Sequence, residues 1–159
     1  MKLMVLGSVN NLSVQYVSTA HEAWAAQLPH SNWLLLAIAD EAAQVPNTAL
    51  TVCLHRSPAG IGCTGQWAAT LEDDFDMEIV LQALEWEEQH QLPFDYDYAP
   101  VTTADPDLAE ALWYAVNLAP NMATEAIDTV VCLDFTRQQE ARLRDLLPLL
   151  ATGWLLPGT

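Results

Sequence analysis

The chain has 159 residues, of which 52% are hydrophobic and six are tryptophan. A chain of this length is typical of one domain and buries about 70% of its extended surface, so apolar burial can drive folding without metal or disulfide staples. Lys and Arg number 5 against 21 Asp and Glu, which gives a formal net charge of −16. Such a surface repels phosphate groups, so direct binding to nucleic acid or to an anionic membrane is disfavoured. We therefore expect one acidic domain over residues 1–159.

The charge is unevenly distributed along the chain. Sixteen acids and no Lys or Arg lie between Ser57 and Thr136, and the only lysine is Lys2. A surface of this kind attracts a basic partner and speeds its association. Acidic surfaces also keep proteins dispersed without serving any partner, so two interpretations of the charge stay open.

Cysteine content and hydropathy indicate the compartment. The chain has three cysteines, Cys53, Cys63 and Cys132, which is an odd number and too few for a disulfide framework. This count favours a reducing environment. The apolar run at residues 3–6 is interrupted by small and polar residues before an export signal could form. The longest apolar run, residues 33–39, is well short of the ~20 residues that span a membrane. We expect a cytoplasmic protein without a membrane span.

In chain order, the first two predicted elements are helices. Residues 13–28 carry apolar side chains toward one face and end before Pro29, which cannot continue a helix. The continuous apolar run at residues 33–39 is compatible with a buried strand. Because helix-forming residues continue from it to Gln44, helix is the favoured interpretation.

A β-hairpin is predicted next. Residues 49–54 contain β-favouring side chains, residues 57–60 have turn composition, and residues 61–68 would return as the second strand. Folding the chain about this turn would bring Cys53 near Cys63 and place His55 on the same face as Cys53.

The second half of the chain alternates helices with one strand. A helix is predicted from Asp73 to about residue 91, stopped by Pro93, and another begins at Asp105 and Pro106 and ends at Pro120.

Residues 129–133 read as a buried strand. Thr136 and Gln139 form a capping-box pattern for a last helix, which Pro148 weakens or ends. Four or five helices and three or four strands without regular βαβ alternation predict an α+β fold, with a small and mostly antiparallel sheet around the central hairpin.

Four side chains could in principle bind zinc. Cys53, His55, Cys63 and Cys132 are suitable ligands, but the paired Cys-x-x-Cys or His-x-x-x-His units of structural zinc sites are missing. Buried free cysteine usually behaves as a small hydrophobe. We therefore expect neither a metal nor another cofactor.

The stretch from Phe94 to Tyr98 alternates aromatic and acidic residues and follows a glutamate-rich helix. Tyrosines supply large contact surfaces and carboxylates pair with arginine, which is the chemistry of interaction hot spots facing a basic partner. An edge strand with its aromatics packed inward is the structural alternative. The residues expected to bind the partner are Glu85, Glu87, Glu88, Asp95, Tyr96, Asp97 and Tyr98.

In charge and size, though in no motif, the chain resembles bacterial immunity proteins, which are small, single-domain and often acidic. That resemblance implies a protein that neutralises a basic toxin, such as a nuclease, by occluding its site. A second hypothesis is a small enzyme or metal-binding domain that uses His55 or His90 with nearby carboxylates. A third is a structural or adaptor subunit.

Overall fold

The structure is a computed structural model that describes residues 4–152. These residues form six strands and five α-helices. The strands are β1 (Met4–Val9), β2 (Leu12–Ser18), β3 (Trp33–Ile38), β4 (Gly60–Thr64), β5 (Val101–Ala104) and β6 (Thr129–Asp134). The helices are α1 (Ala49–Leu54), α2 (Ala68–His90), α3 (Leu108–Asn117), α4 (Ala119–Met122) and α5 (Glu140–Ala151).

All six strands belong to one sheet in the order β1-β2-β6-β3-β4-β5. β1 pairs antiparallel with β2, and the remaining neighbours pair parallel. The carboxyl ends of β2 to β6 therefore meet at one edge, and their amino ends at the other. This is a mixed, mostly parallel α/β sheet, so the expectation of a small, mostly antiparallel sheet was wrong.

Helices cover both faces of the sheet. Strand β3 is buried along its whole length, and its residues alternate between two apolar clusters. One cluster holds residues of α3 and α5, and the other holds residues of α1 and α2. A strand covered on both faces needs apolar side chains at every position.

This double burial explains why the first two predicted helices are wrong. The segment 33–38 is β3, whose continuous apolar run lacks the alternation that would mark a strand with one wet face. The segment 13–28 begins with β2 and continues into a short 3₁₀ helix, Trp24–Gln27. Tertiary pairing of β2 with β6 prevails over its helical spacing.

The predicted hairpin is also wrong. Residues 49–54 form α1 rather than a strand, and β4 pairs parallel with β3 and β5. Cys53 and Cys63 are therefore not cross-strand neighbours, although both belong to the apolar cluster beneath α1 and α2.

The later elements agree better with the predictions. Helix α2 begins five residues before Asp73 and ends at His90, and β6 covers the predicted strand. Asp107 rather than Asp105 caps α3, accepting a hydrogen bond from the backbone N–H of Glu110. The predicted capping box of Thr136 and Gln139 was wrong, because α5 begins only after Gln139 and has no side-chain cap. The helix also continues through Pro148.

The carboxyl edge of the sheet is organised around Asp134, which ends β6 and is completely buried. Its Oδ2 accepts hydrogen bonds from the Tyr16 hydroxyl (2.7 Å) and the Gln139 backbone N–H (2.8 Å). Its Oδ1 accepts from the Thr136 hydroxyl (2.6 Å), the Thr136 N–H (3.0 Å) and the Arg137 N–H (3.1 Å). One carboxylate thus ties β2, β6 and the loop into α5 together.

Within residues 4–152, no helix is long and apolar enough to cross a membrane. Met1, Lys2 and Leu3, where the N-terminal apolar run begins, lie outside the described residues.

Candidate functional site

A groove of about 880 Å³ lies at the amino edge of the sheet. Its walls come from α2 and from the loops that precede β4, β5 and β6. Its volume falls within the range of sites that accept a ligand or a peptide segment. Its lining residues near the predicted stretch are Trp86, Phe94, Asp95, Asp97, Tyr98 and Glu125.

A row of aromatic rings runs along one side of the groove. Trp86 and Phe94 meet edge to face with their centroids 5.7 Å apart, and Phe94 and Tyr96 do so at 5.1 Å. The ring of His90 stacks on Trp86 at 4.2 Å. These contacts hold the aromatic side chains in fixed positions.

The stretch from Phe94 to Tyr98 reaches the groove because α2 is followed by a residue in the left-handed conformation. Gln91 has φ 56° and turns the backbone away from the helix axis. The carboxylate of Glu87 then accepts a hydrogen bond from the Phe94 N–H at 3.2 Å. The Asp95 carboxylate accepts one from the Asp97 N–H at 2.9 Å and caps a short 3₁₀ turn, Tyr96–Tyr98. The stretch is therefore a turn rather than an extended edge strand.

The turn presents its side chains to solvent. Tyr98 is 81% exposed and Tyr96 is 52% exposed, and both aspartates of the turn are exposed. Tyr98 and Asp97 line the groove, whereas Tyr96 lies beside it against Phe94. Exposed tyrosines of this kind are available to a partner.

The charged residues that line the groove are all acidic. Asp95, Asp97 and Glu125 line it, and none of its described lining residues is Lys, Arg or His. Arg56, the nearest basic residue in sequence, donates to the carbonyl oxygen of Leu28 at 2.9 Å and lies 2.8 Å from the His30 ring. Arg56 itself is not among the lining residues.

Gln82 contributes a polar group to the groove wall. Its Nε2 is buried and has no hydrogen-bond partner among the described residues. Buried polar atoms in native proteins are normally paired, and this one is an exception.

A family model described as a domain of unknown function, DUF7684, matches residues 13–152. The chain belongs to this family. No curated protein and no solved structure matches the chain. The DUF7684 match includes every residue that lines the groove, whereas β1 precedes it.

The seven residues expected to bind a partner have different surroundings in the DUF7684 domain. Asp95, Asp97 and Tyr98 line the groove, and Tyr96 flanks it. Glu87 is half-buried, and its carboxylate accepts a hydrogen bond from the Phe94 N–H. The other two glutamates of α2, Glu85 and Glu88, are exposed outside the groove lining.

Several groove residues were missed from the sequence. Glu125 comes from the loop before β6, and Gln82 and Trp86 come from α2. Trp86 could have been found, because it lies in the last turns of the helix that leads into the aromatic stretch. The position of Glu125 depends on the parallel sheet, which no local pattern indicated.

The residues considered for metal or catalysis are dispersed. Among residues 4–152, no group of three His, Cys, Asp or Glu side chains is arranged to hold a metal ion. His55 caps the end of α1, and the Nδ1 of His90 lies 2.8 Å from the carbonyl oxygen of Trp86.

Burial controls the chemistry of the three thiols. It raises the pKa of Cys53 and of Cys132 to about 12. Burial also raises the pKa of Cys63, and the negative charges of Glu72 and Asp76 raise it further. At pH 8 a thiol with that pKa is roughly one part in ten thousand thiolate, the reactive form.

We therefore expect negligible reaction of the native protein with a thiol reagent such as dithionitrobenzoate at pH 8. In guanidinium chloride, three thiols per chain should react at once. A thiol that reacts rapidly in the native protein would show that its side chain reaches solvent.

Proposed function

We propose that this protein is an acidic protein-binding module that holds a basic polypeptide segment in the groove beside α2. The observation that carries the proposal is the coincidence of exposed tyrosine and carboxylates in one groove, with no Lys, Arg or His among the lining residues of the described range 4–152. Arginine and lysine side chains pair with such carboxylates and stack on aromatic faces.

The arrangement of the groove supports a polypeptide rather than a small cation alone. Its lining includes the turn at Tyr98, helix α2 and the loop at Glu125, and its volume is about 880 Å³, so several side chains of a partner can contact it.

The role that fits this chemistry best is that of an immunity-like protein. A protein with charge −16 that covers the basic active site of a toxin, such as a nuclease, would be attracted to it over long distances and would block it sterically. In that role Tyr98 and Asp97 act by contact and charge, and no chemical step is required of them.

Replacing Tyr98 with alanine should weaken binding of a basic partner by about 2 kcal/mol or more, the range of an interaction hot spot. Asp97→Asn should also weaken binding, by an amount that shrinks as salt rises, because Asp97 is exposed and its charge is screened. A hexa-arginine peptide serves as the first probe, with its site mapped by NMR shifts of the Trp86 indole and neighbouring amides. Binding to the natural partner is then measured by stopped flow over a salt series.

Met77→Ala and Asp74→Asn are matched controls, since both residues are exposed on α2 away from the groove. Neither should change binding. Hexa-arginine could change the NMR shifts of amides around Asp74 as strongly as those of Trp86. The peptide would then bind the acidic surface without preference for the groove, and the proposal would be wrong.

A further inference from the structure

A second, more enclosed cavity of about 220 Å³ lies between α3 and the sheet. It runs along β4 and β5 from Ala59 to Asp105, and its wall is apolar apart from a few polar groups such as Thr103 and Asp105. An apolar cavity of ~150 Å³ is already large enough to bind a benzene molecule. This one can hold a large apolar side chain.

The cavity exists because of how the helices and small residues are placed. Helix α3 packs chiefly against β3 and β4, and α2 covers β4 and β5 on the opposite face. Alanine occupies three of the positions of α3 and α4 that line the space, Ala111, Ala115 and Ala119, beside the larger Tyr114 and Met122. The Tyr114 hydroxyl donates to the sulfur of Met122 at 3.0 Å and links the two helices.

The cavity and the acidic groove are neighbours. Ala59, Val101, Met122 and Ala123 line both of them. Val101 and Met122 are exposed at this junction. A segment bound in the groove therefore passes directly over the mouth of the cavity.

We infer that the cavity is a specificity pocket that receives one large apolar side chain, such as Phe or Leu, from the basic segment bound in the groove. The inference rests on the proposed function, because the groove supplies the attraction for the basic residues. The cavity adds discrimination: burying the anchor side chain removes apolar surface from water, and a basic segment without an anchor leaves the space unfilled.

Selection of a randomised dodecapeptide library on the whole protein tests this directly. We expect selected peptides to combine Arg or Lys with one large apolar residue at a fixed spacing. A synthetic peptide of the selected sequence should lose at least tenfold in affinity when that apolar residue is changed to alanine.

Filling the cavity from the protein side should have the same effect. Ala115→Leu places a larger side chain in the cavity without altering the groove lining, and should weaken the selected peptide at least tenfold. Ala109→Leu, on the same helix but outside the cavity lining, should bind as the unaltered protein does. A thermal melt verifies that each variant folds, and Ala119→Leu replaces Ala115→Leu should the latter unfold.

The outcomes separate the two proposals. Basic peptides that need no apolar residue, or that bind Ala115→Leu unchanged, overturn the specificity pocket and leave the groove proposal standing. Peptides without basic residues, peptides that bind a Tyr98→Ala, Asp97→Asn double variant unchanged, or a selection that yields no binder, overturn both.

Discussion

Replacing Asp134 with alanine should lower the free energy of unfolding by about 3–5 kcal/mol, because several buried donors would lose their acceptor at once. The Tyr16 hydroxyl and the hydroxyl and N–H of Thr136 are buried donors to this carboxylate, and the N–H groups of Arg137 and Gln139 are part-buried donors. Each buried donor left without an acceptor costs about 1–3 kcal/mol, part of which water recovers by entering the site. Urea denaturation of the variant measures the loss.

Two further variants make the Asp134 prediction specific. Asp134→Asn keeps the shape but turns one acceptor oxygen into a donor, so it should fall between the alanine variant and the unaltered protein. Asp128→Ala removes an exposed carboxylate just before the same strand and should change stability by less than about 0.5 kcal/mol. A loss below about 1 kcal/mol for Asp134→Ala would mean that Asp134 does not organise this edge.

Phe75→Ala should destabilise the protein by a similar amount, about 3–5 kcal/mol, through loss of apolar contact and creation of a cavity. Phe75 is completely buried on α2, within the cluster that this helix forms against the sheet. The midpoint of guanidinium unfolding gives the change.

Leu81→Ala is the matched control for Phe75, since Leu81 is half-exposed on the same helix. It should cost well under 1 kcal/mol. Equal losses at the two positions would indicate that α2 does not dock through Phe75.

Local patterns predicted some elements and failed at others for a physical reason. Helix α2 has strong formers and a proline just beyond its end, and β6 is a short apolar run with β-branched residues, so both were found. Strand β3 and helix α1 were misassigned, because β3 has no polar face and the β-favouring residues of α1 are outweighed by its packing on α2. The parallel arrangement depends on the pairing of strands that are distant in sequence. The residue spacing within one segment does not encode that pairing.

The candidate site shows the same division. The exposed turn at Asp97 and Tyr98 was found from composition alone, since alternating aromatic and acidic residues are unusual in a core. Gln82, Glu125 and the apolar cavity were not, because they meet only when α2, α3 and the loop before β6 are placed against the sheet. The sequence also did not distinguish Gly65 from ordinary turn glycines. Gly65 has a positive φ, and a Cβ at this position would collide with the carbonyl oxygen of Ala39.

The position of β6 also determines when the chain can fold. Strand β6 is the last of the six in sequence, yet it lies between β2 and β3 and is hydrogen-bonded to both. During synthesis β2 ends at Ser18 and β3 at Ile38, whereas β6, the strand that joins them, begins only at Thr129 and leaves the ribosome much later. Until that strand emerges, each presents an unpaired apolar edge, and such edges are sites of aggregation. The nascent protein consequently completes its sheet in one late step, and its folding should be slow for its size because the decisive pairings are distant in sequence.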